Sequence, residues 1–288
     1  MRTARHWIAT LYRGRRRPAL EPDQLGGDDA MRTISGFLLD VDGVLHIDGE
    51  PIPGAVQAVL ELRARGIPFV LLTNTTIRTR RQLGALLREL GFPVADDEIV
   101  TAGAATAAYL RAHYPGEPCY LLVDGDVQEE FAGIPLVEDD SATVVVFGGA
   151  GPVYSYDRLN RAFRLLLRGA HFVAMHRNLV WDRRDGPALD TGAFLLGLEA
   201  ALGRQAHLVG KPSPDFFRAG LERLGLPPER VAVVGDSLAA DILPARRLGM
   251  TGVLVQTGRF RPNDLELGRP DALLPSIAEL PSWLSRAS

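Results

Sequence analysis

The sequence predicts an α/β fold: a doubly wound parallel sheet with a second, smaller α/β domain inserted into it. Three observations predict this. Continuous apolar runs of strand length recur along the chain, and several end in polar side chains. Segments with helical spacing lie between them, two of them closed by Gly66 and Gly91. The stretch 113–205 repeats the same alternation by itself. Apolar runs without polar alternation fit strands buried on both faces, so helices must cover both sides of a parallel sheet.

Residues 1–30 stand apart, with six arginines, four acids and no acid among the first twenty positions. They are expected to be a flexible tail or an upstream start chosen in error, because Met31 leads straight into the first strand. A transit peptide or a tether to an anionic surface is the alternative. The first strand is expected at 34–41, a helix at 55–65, a second strand at 68–73 and a helix at 79–90. In the inserted stretch, strands are expected at 119–123, 143–147 and 171–175, and helices at 156–168 and 191–202. The chain then returns with a strand at 231–235, a helix at 239–248 and a strand at 252–256. The main domain thus comprises 31–112 and 206–288.

Composition narrows the function. The chain has 288 residues, 46% hydrophobic and 23% charged, as expected of a soluble globular protein. One cysteine, Cys119, excludes a secreted disulfide scaffold and a cysteine-rich zinc module. A net charge of −3 argues against a general nucleic-acid binder, and no apolar run is long enough to span a membrane. A cytoplasmic location is expected. Of 32 basic residues only Lys211 is a lysine. In a chain so biased towards arginine, a surviving lysine suggests a task for a compact point charge, such as neutralising a phosphate or a nucleophilic carboxylate.

Ligands of open parallel sheets bind at the carboxyl ends of the strands, so the polar residues there are the candidates. The first strand ends Leu-Asp40-Val-Asp42-Gly43-Val. Carboxylates at i and i+2 share one side of an extended strand, and such crowding calls for a cation or a shared proton. Mg2+ suits oxygen ligands of this kind. The second strand ends Thr73-Asn74-Thr75-Thr76, whose hydroxyls and amide can bind anionic oxygens or simply cap a helix. Lys211 follows Val209-Gly210, and Asp236 and Asp241 follow the strand ending at Gly235. Together with Asp40 they could complete an acidic metal cage. Histidine offers no metal-ligand spacing, and a structural role is expected for His46. Gly148–Gly151 is read as a turn, and Arg183, Arg184 and Asp185 as a solvated one. No G-x-G-x-x-G follows the first strand, which disfavours a nucleotide-binding oxidoreductase.

D-x-D-G-V, T-N, G-K-P and G-D-x(4)-D, in this order, resemble the haloacid dehalogenase superfamily. The insertion resembles the large α/β cap (113–205) of the NagD-type subclass, which also holds the phospholysine phosphohistidine inorganic pyrophosphate phosphatases. VGKPSP at 209–214 and Leu274-Pro-Ser-Ile-Ala-Glu-Leu are also similar to that group. The resemblance covers about 33–284. It implies a Rossmann-like core and a Mg2+-dependent phosphatase acting on a small phosphorylated metabolite. Asp40 would be the nucleophile forming an aspartyl-phosphate, and Asp42 the acid that protonates the leaving alkoxide and later activates water. Thr73 and Asn74 would hold phosphoryl oxygens, with Gly43 and Thr75 beside them, and Lys211 would neutralise charge near Asp40. Asp40, the Asp42 backbone carbonyl and Asp236 would ligate the metal, with Asp241 supporting it. Cap residues His176, Arg177 and Asn178 are candidates for substrate contact, and a homodimer through the cap is expected. A halide leaves without a proton, so an acid at Asp42 favours phosphoryl transfer over dehalogenation. Pyrophosphatase, phosphotransferase and non-catalytic phosphometabolite-binding readings remain alternatives.

Overall fold

The computed structural model describes residues 34–183 and 186–287. The arm, Met31, Arg184 and Asp185 lie outside these residues. The larger sheet has six strands, all parallel, in the order β14-β13-β12-β1-β4-β5. They are β1 (Gly36–Leu39), β4 (Phe69–Thr73), β5 (Ile99–Thr101), β12 (Val231–Gly235), β13 (Thr251–Val255) and β14 (Ala272–Leu274). Alternation along these strands sorts side chains onto two faces. Phe37, Leu39, Phe69, Leu71, Ala232 and Val234 face one core, filled also by Ala58, Val59 and Leu62 of the helix Ala55–Ala64. Leu38, Val70, Leu72, Val231 and Val233 face a second core with Phe216, Phe217 and Leu221 of the helix Pro214–Leu224. Both faces being buried is why the runs read as unbroken apolar sequence.

The smaller sheet has four parallel strands in the order β11-β8-β7-β6. They are β6 (Cys119–Leu122), β7 (Val144–Phe147), β8 (His171–Ala174) and β11 (His207–Leu208). One face packs against Ala162, Leu165 and Leu195 of the helices Tyr156–Leu167 and Thr191–Leu202. The other packs on Ala107 and Leu110 of the helix Ala102–His113. That helix, except for its last residue His113, and β11 lie outside the span 113–205, yet both serve the smaller sheet. Two hairpins complete the strands: β2 (His46–Ile47) with β3 (Glu50–Pro51), and β9 (Val180–Arg183) with β10 (Gly186–Leu189).

The expected helix 79–90 is Arg80–Glu89, started by a capping box. Thr79 Oγ1 accepts the Gln82 N–H at 3.1 Å, and Gln82 Oε1 accepts the Thr79 N–H at 2.9 Å. The expected helix 239–248 is different: Leu238–Ile242 is a π-turn, and only Leu243–Arg247 is α-helical. Pro244 has no N–H to continue the ladder, and the Ile242 N–H reaches back five residues to the Ser237 carbonyl at 3.3 Å. The Asp241 carboxylate folds over this turn, where Oδ2 accepts the Ser237 N–H at 3.1 Å.

Candidate active site

Four loops meet at the carboxyl ends of β1, β4 and β12. Asp40 leaves β1 with its N–H on the Val234 carbonyl at 2.9 Å, and its side chain is buried. Asp40 Oδ1 accepts the Val41 N–H at 2.8 Å and lies 2.7 Å from Lys211 Nζ. The same ammonium lies 2.6 Å from Asp241 Oδ1. Lys211, 2% exposed, is therefore wedged between two carboxylates. Burial works against its charge, yet Asp241 and Asp40 together hold it above the ordinary lysine range, so it remains an ammonium. Burial, opposed by Lys211, pushes the Asp40 and Asp241 carboxyls up, as burial pushes up Asp236 against the pull of Arg259.

Asp40, Asp236 and Asp241 each offer an oxygen within 4.8 Å of the others. Asp40 Oδ2 is buried and has no hydrogen-bond partner. Three buried carboxylates with an orphaned oxygen fit a hard divalent cation such as Mg2+. Asp236 is held from the loop after β13: the Arg259 N–H donates to Oδ2 at 2.7 Å, and Arg259 Nη2 lies 3.1 Å from Oδ1. Arg259 Nη2 also lies 3.6 Å from Asp40 Oδ2.

Asp42 points outward, its side chain 62% exposed, with Oδ2 accepting from Thr73 Oγ1 at 3.3 Å. Thr73 Oγ1 in turn accepts the Thr75 N–H at 3.1 Å. Thus two carboxylates two residues apart have opposite settings. One is buried and fixed against an ammonium; the other is hydrated and near a hydroxyl.

The Haloacid dehalogenase-like hydrolase family model matches residues 37–136, and a second, HAD-hydrolase-like model matches residues 208–280. The human Haloacid dehalogenase-like hydrolase domain-containing protein 2 is 37% identical over 245 residues, 85% of this chain and 93% of that protein. The chain belongs to the haloacid dehalogenase-like hydrolases. The Phospholysine phosphohistidine inorganic pyrophosphate phosphatase of Rattus norvegicus is 33% identical over 254 residues, 85% of this chain and 92% of that one. Among solved structures, the p-nitrophenyl phosphatase from Archaeoglobus fulgidus superposes with a TM-score of 0.81 at 30% identity, covering 87% of this chain and 99% of that one. NagD from E. coli K-12 gives 0.77 at 32% identity, with 86% and 98% covered.

In this hydrolase several residues expected to touch substrate have other work. The Asn74 amide clamps the Lys211 main chain: Oδ1 accepts the Lys211 N–H at 2.8 Å and Nδ2 donates to the Lys211 carbonyl at 3.0 Å. It therefore positions the lysine instead of standing open to a phosphoryl oxygen. Gly43 gives room. Its φ is +82°, and a Cβ there would lie 2.1 Å from Asp236 Oδ2. Arg177 turns away from the site, with Nη2 2.6 Å from Glu199 Oε1 and 3.1 Å from the Ala206 carbonyl. Its guanidinium satisfies a buried acid inside the cap, a structural task. His176 is buried with Nε2 3.5 Å from Thr76 Oγ1, so it meets the strand-end loop of the larger sheet. The Asn178 N–H donates to His176 Nδ1 at 3.3 Å. Gly148–Gly151 is a bend after β7, with the turn falling on Pro152 and Val153, and Gly149 packs so closely on Thr76 that a Cβ would lie 2.6 Å from its Oγ1.

Arg259 is the site residue that sequence reasoning missed. It is one arginine among 31 in a loop outside the four motifs, so neither composition nor motif separates it. Its place beside Asp236 arises from β13 lying next to β12.

Proposed function

We propose that this hydrolase is a Mg2+-dependent phosphatase that cleaves a small phosphorylated metabolite through an aspartyl-phosphate on Asp40. The observation that carries the reading is the Lys211 ammonium 2.7 Å from Asp40 Oδ1 and 2.6 Å from Asp241 Oδ1. It favours the ionised Asp40 and offsets the repulsion between a carboxylate and a phosphate dianion. Asp40, Asp236 and the Asp42 carbonyl would hold Mg2+, with Asp241 in support. Once bound, the cation supplies further neutralisation of phosphoryl charge.

In this reading Asp40 attacks phosphorus while the P–O bond to the leaving group breaks. The Asp42 carboxyl gives its proton to the departing oxygen. Now ionised, Asp42 takes a proton from water, whose oxygen attacks the phosphorus and restores Asp40. The exposed setting of Asp42 suits a group that must meet both leaving group and solvent. Thr73, beside Asp42, orients that carboxylate, and Asn74 keeps Lys211 in register. Names of relatives support the phosphoryl class: a p-nitrophenyl phosphatase and an inorganic pyrophosphate phosphatase are both similar over more than four-fifths of this chain. We read the protein as cytoplasmic; no helix among the described residues is long and apolar enough to cross a membrane.

The test is trapping. Asp42→Asn, given p-nitrophenyl phosphate and Mg2+ and quenched in acid, is expected to carry one phosphoryl group on the peptide containing Asp40. Asp40→Asn is expected to lose at least about 10³-fold in kcat while still melting cooperatively as a folded protein. An unlabelled Asp42→Asn peptide together with full turnover by Asp40→Asn would remove the covalent route. A panel of phosphate esters and pyrophosphate, with Mg2+ and with EDTA, then identifies the substrate class.

A further inference from the structure

His46 lies six positions after Asp40, where the β2–β3 hairpin begins. It is 4% exposed, and neither ring nitrogen has a hydrogen-bond partner. A buried polar group left this way keeps its desolvation penalty uncompensated, so a fold that keeps one calls for a reason. Its Nε2 lies 3.8 Å from Asp42 Oδ1, the carboxylate whose other oxygen rests on Thr73. The main chain fixes this pairing independently of the side chains, since the Gly43 N–H donates to the His46 carbonyl at 2.8 Å and Asp42 bridges His46. The imidazole is packed in place, while the Asp42 side chain is largely in solvent. A turn of the carboxylate by about 1 Å brings it within hydrogen-bond reach of the ring.

We propose that His46 is a positioning residue for Asp42: its ring Nε2–H receives the Asp42 carboxylate and, with Thr73 on the other side, aims it at the leaving-group oxygen. The proposal rests on the reading of Asp42 as the proton donor. His46 itself neither gains nor loses a proton. The proton passes from the Asp42 carboxyl to the leaving oxygen as the P–O bond breaks, and water returns one to Asp42 in the second half of the cycle. What the ring supplies is direction, which an exposed side chain with two free torsions lacks.

Leaving-group dependence separates aim from architecture. p-Nitrophenolate departs well without a proton; phenolate departs poorly without one. On the full chain with Mg2+, Asp42→Asn is expected to lose about 10²-fold more kcat/KM, which reports the step that expels the leaving group, on phenyl phosphate than on p-nitrophenyl phosphate. His46→Phe is expected to show the same selective loss at about ten-fold, His46→Gln to recover most of it through its amide N–H, and His46→Phe to add little to Asp42→Asn. The ratio of two substrates on one preparation is independent of the fraction folded, so an unstable variant still gives an answer. Equal losses on both substrates in His46→Phe, or full additivity with Asp42→Asn, would overturn the role of His46. Absence of a selective loss in Asp42→Asn itself would overturn the donor reading, and the proposal with it.

Discussion

Replacing Lys211 with methionine takes the ammonium from between Asp40 and Asp241 and leaves two buried carboxylates facing each other. Breaking a buried ion network from one side costs about 3–5 kcal/mol. Lys211→Met is therefore expected to lower the unfolding free energy by that order in denaturant titration and to abolish turnover. Lys211→Arg is expected to restore some of the charge and little of the activity, because a planar fork cannot occupy a pocket shaped between two oxygens 2.7 and 2.6 Å from one nitrogen. This residue was legible in the sequence for a physical reason: arginine could have served wherever charge alone was needed. Asp40, Thr73 and Asp236 were legible because strand ends are where polar side chains remain open to a ligand. Arg177 was misread because its partner, Glu199, lies 22 positions away on a helix, and nothing in the local sequence announces the pair.

Among the elements, the loop after β1 depends on the absence of a side chain at Gly43. Gly43→Ala is expected to weaken metal affinity by displacing Asp236 while leaving the helical content unchanged, as metal titration calorimetry and circular dichroism would show. The contact between β8 and the β4 loop runs through His176, and burial, against the pull of Asp190, lowers its proton affinity below the ordinary value of 6.5. The unfolded chain takes up a proton as pH falls through about 6.5, whereas the folded chain does not until lower pH. Stability from this group is thus complete above about pH 6.5 and lost as pH falls towards the folded value. His176→Asn is expected to flatten the pH dependence of unfolding free energy in that interval. Long buried strands and capped helices were readable from periodicity. β5 and β14 span three residues each, too short for a pattern, and the Ala-rich helix Ala102–His113 offers little contrast between its faces. The π-turn escaped because the helical spacing of 239–248 runs straight through Pro244, which has no N–H to continue the ladder.

For the molecule as a whole, the proposed Mg2+ site gathers its acids from β1, β12 and the π-turn, and cation binding there would be coupled to folding. At a Mg2+ concentration one hundred times its dissociation constant, linkage contributes about 2.7 kcal/mol. The melting temperature is expected to rise by several degrees with Mg2+ and fall back with EDTA, and Asp236→Asn is expected to abolish the difference. Two sheets were visible as two alternating stretches, but not how the chain passes between them. The Lys211 ammonium does not follow a strand of the larger sheet. It follows β11, the edge strand of the smaller one, three residues after Leu208. A graft that exchanges the smaller sheet for another, cut between Leu208 and Lys211, would sever the tether that sets the height of the charge. Diversification of such a protein by recombination is therefore restricted to junctions that carry this short leash across intact, together with Asn74, which grips its far end.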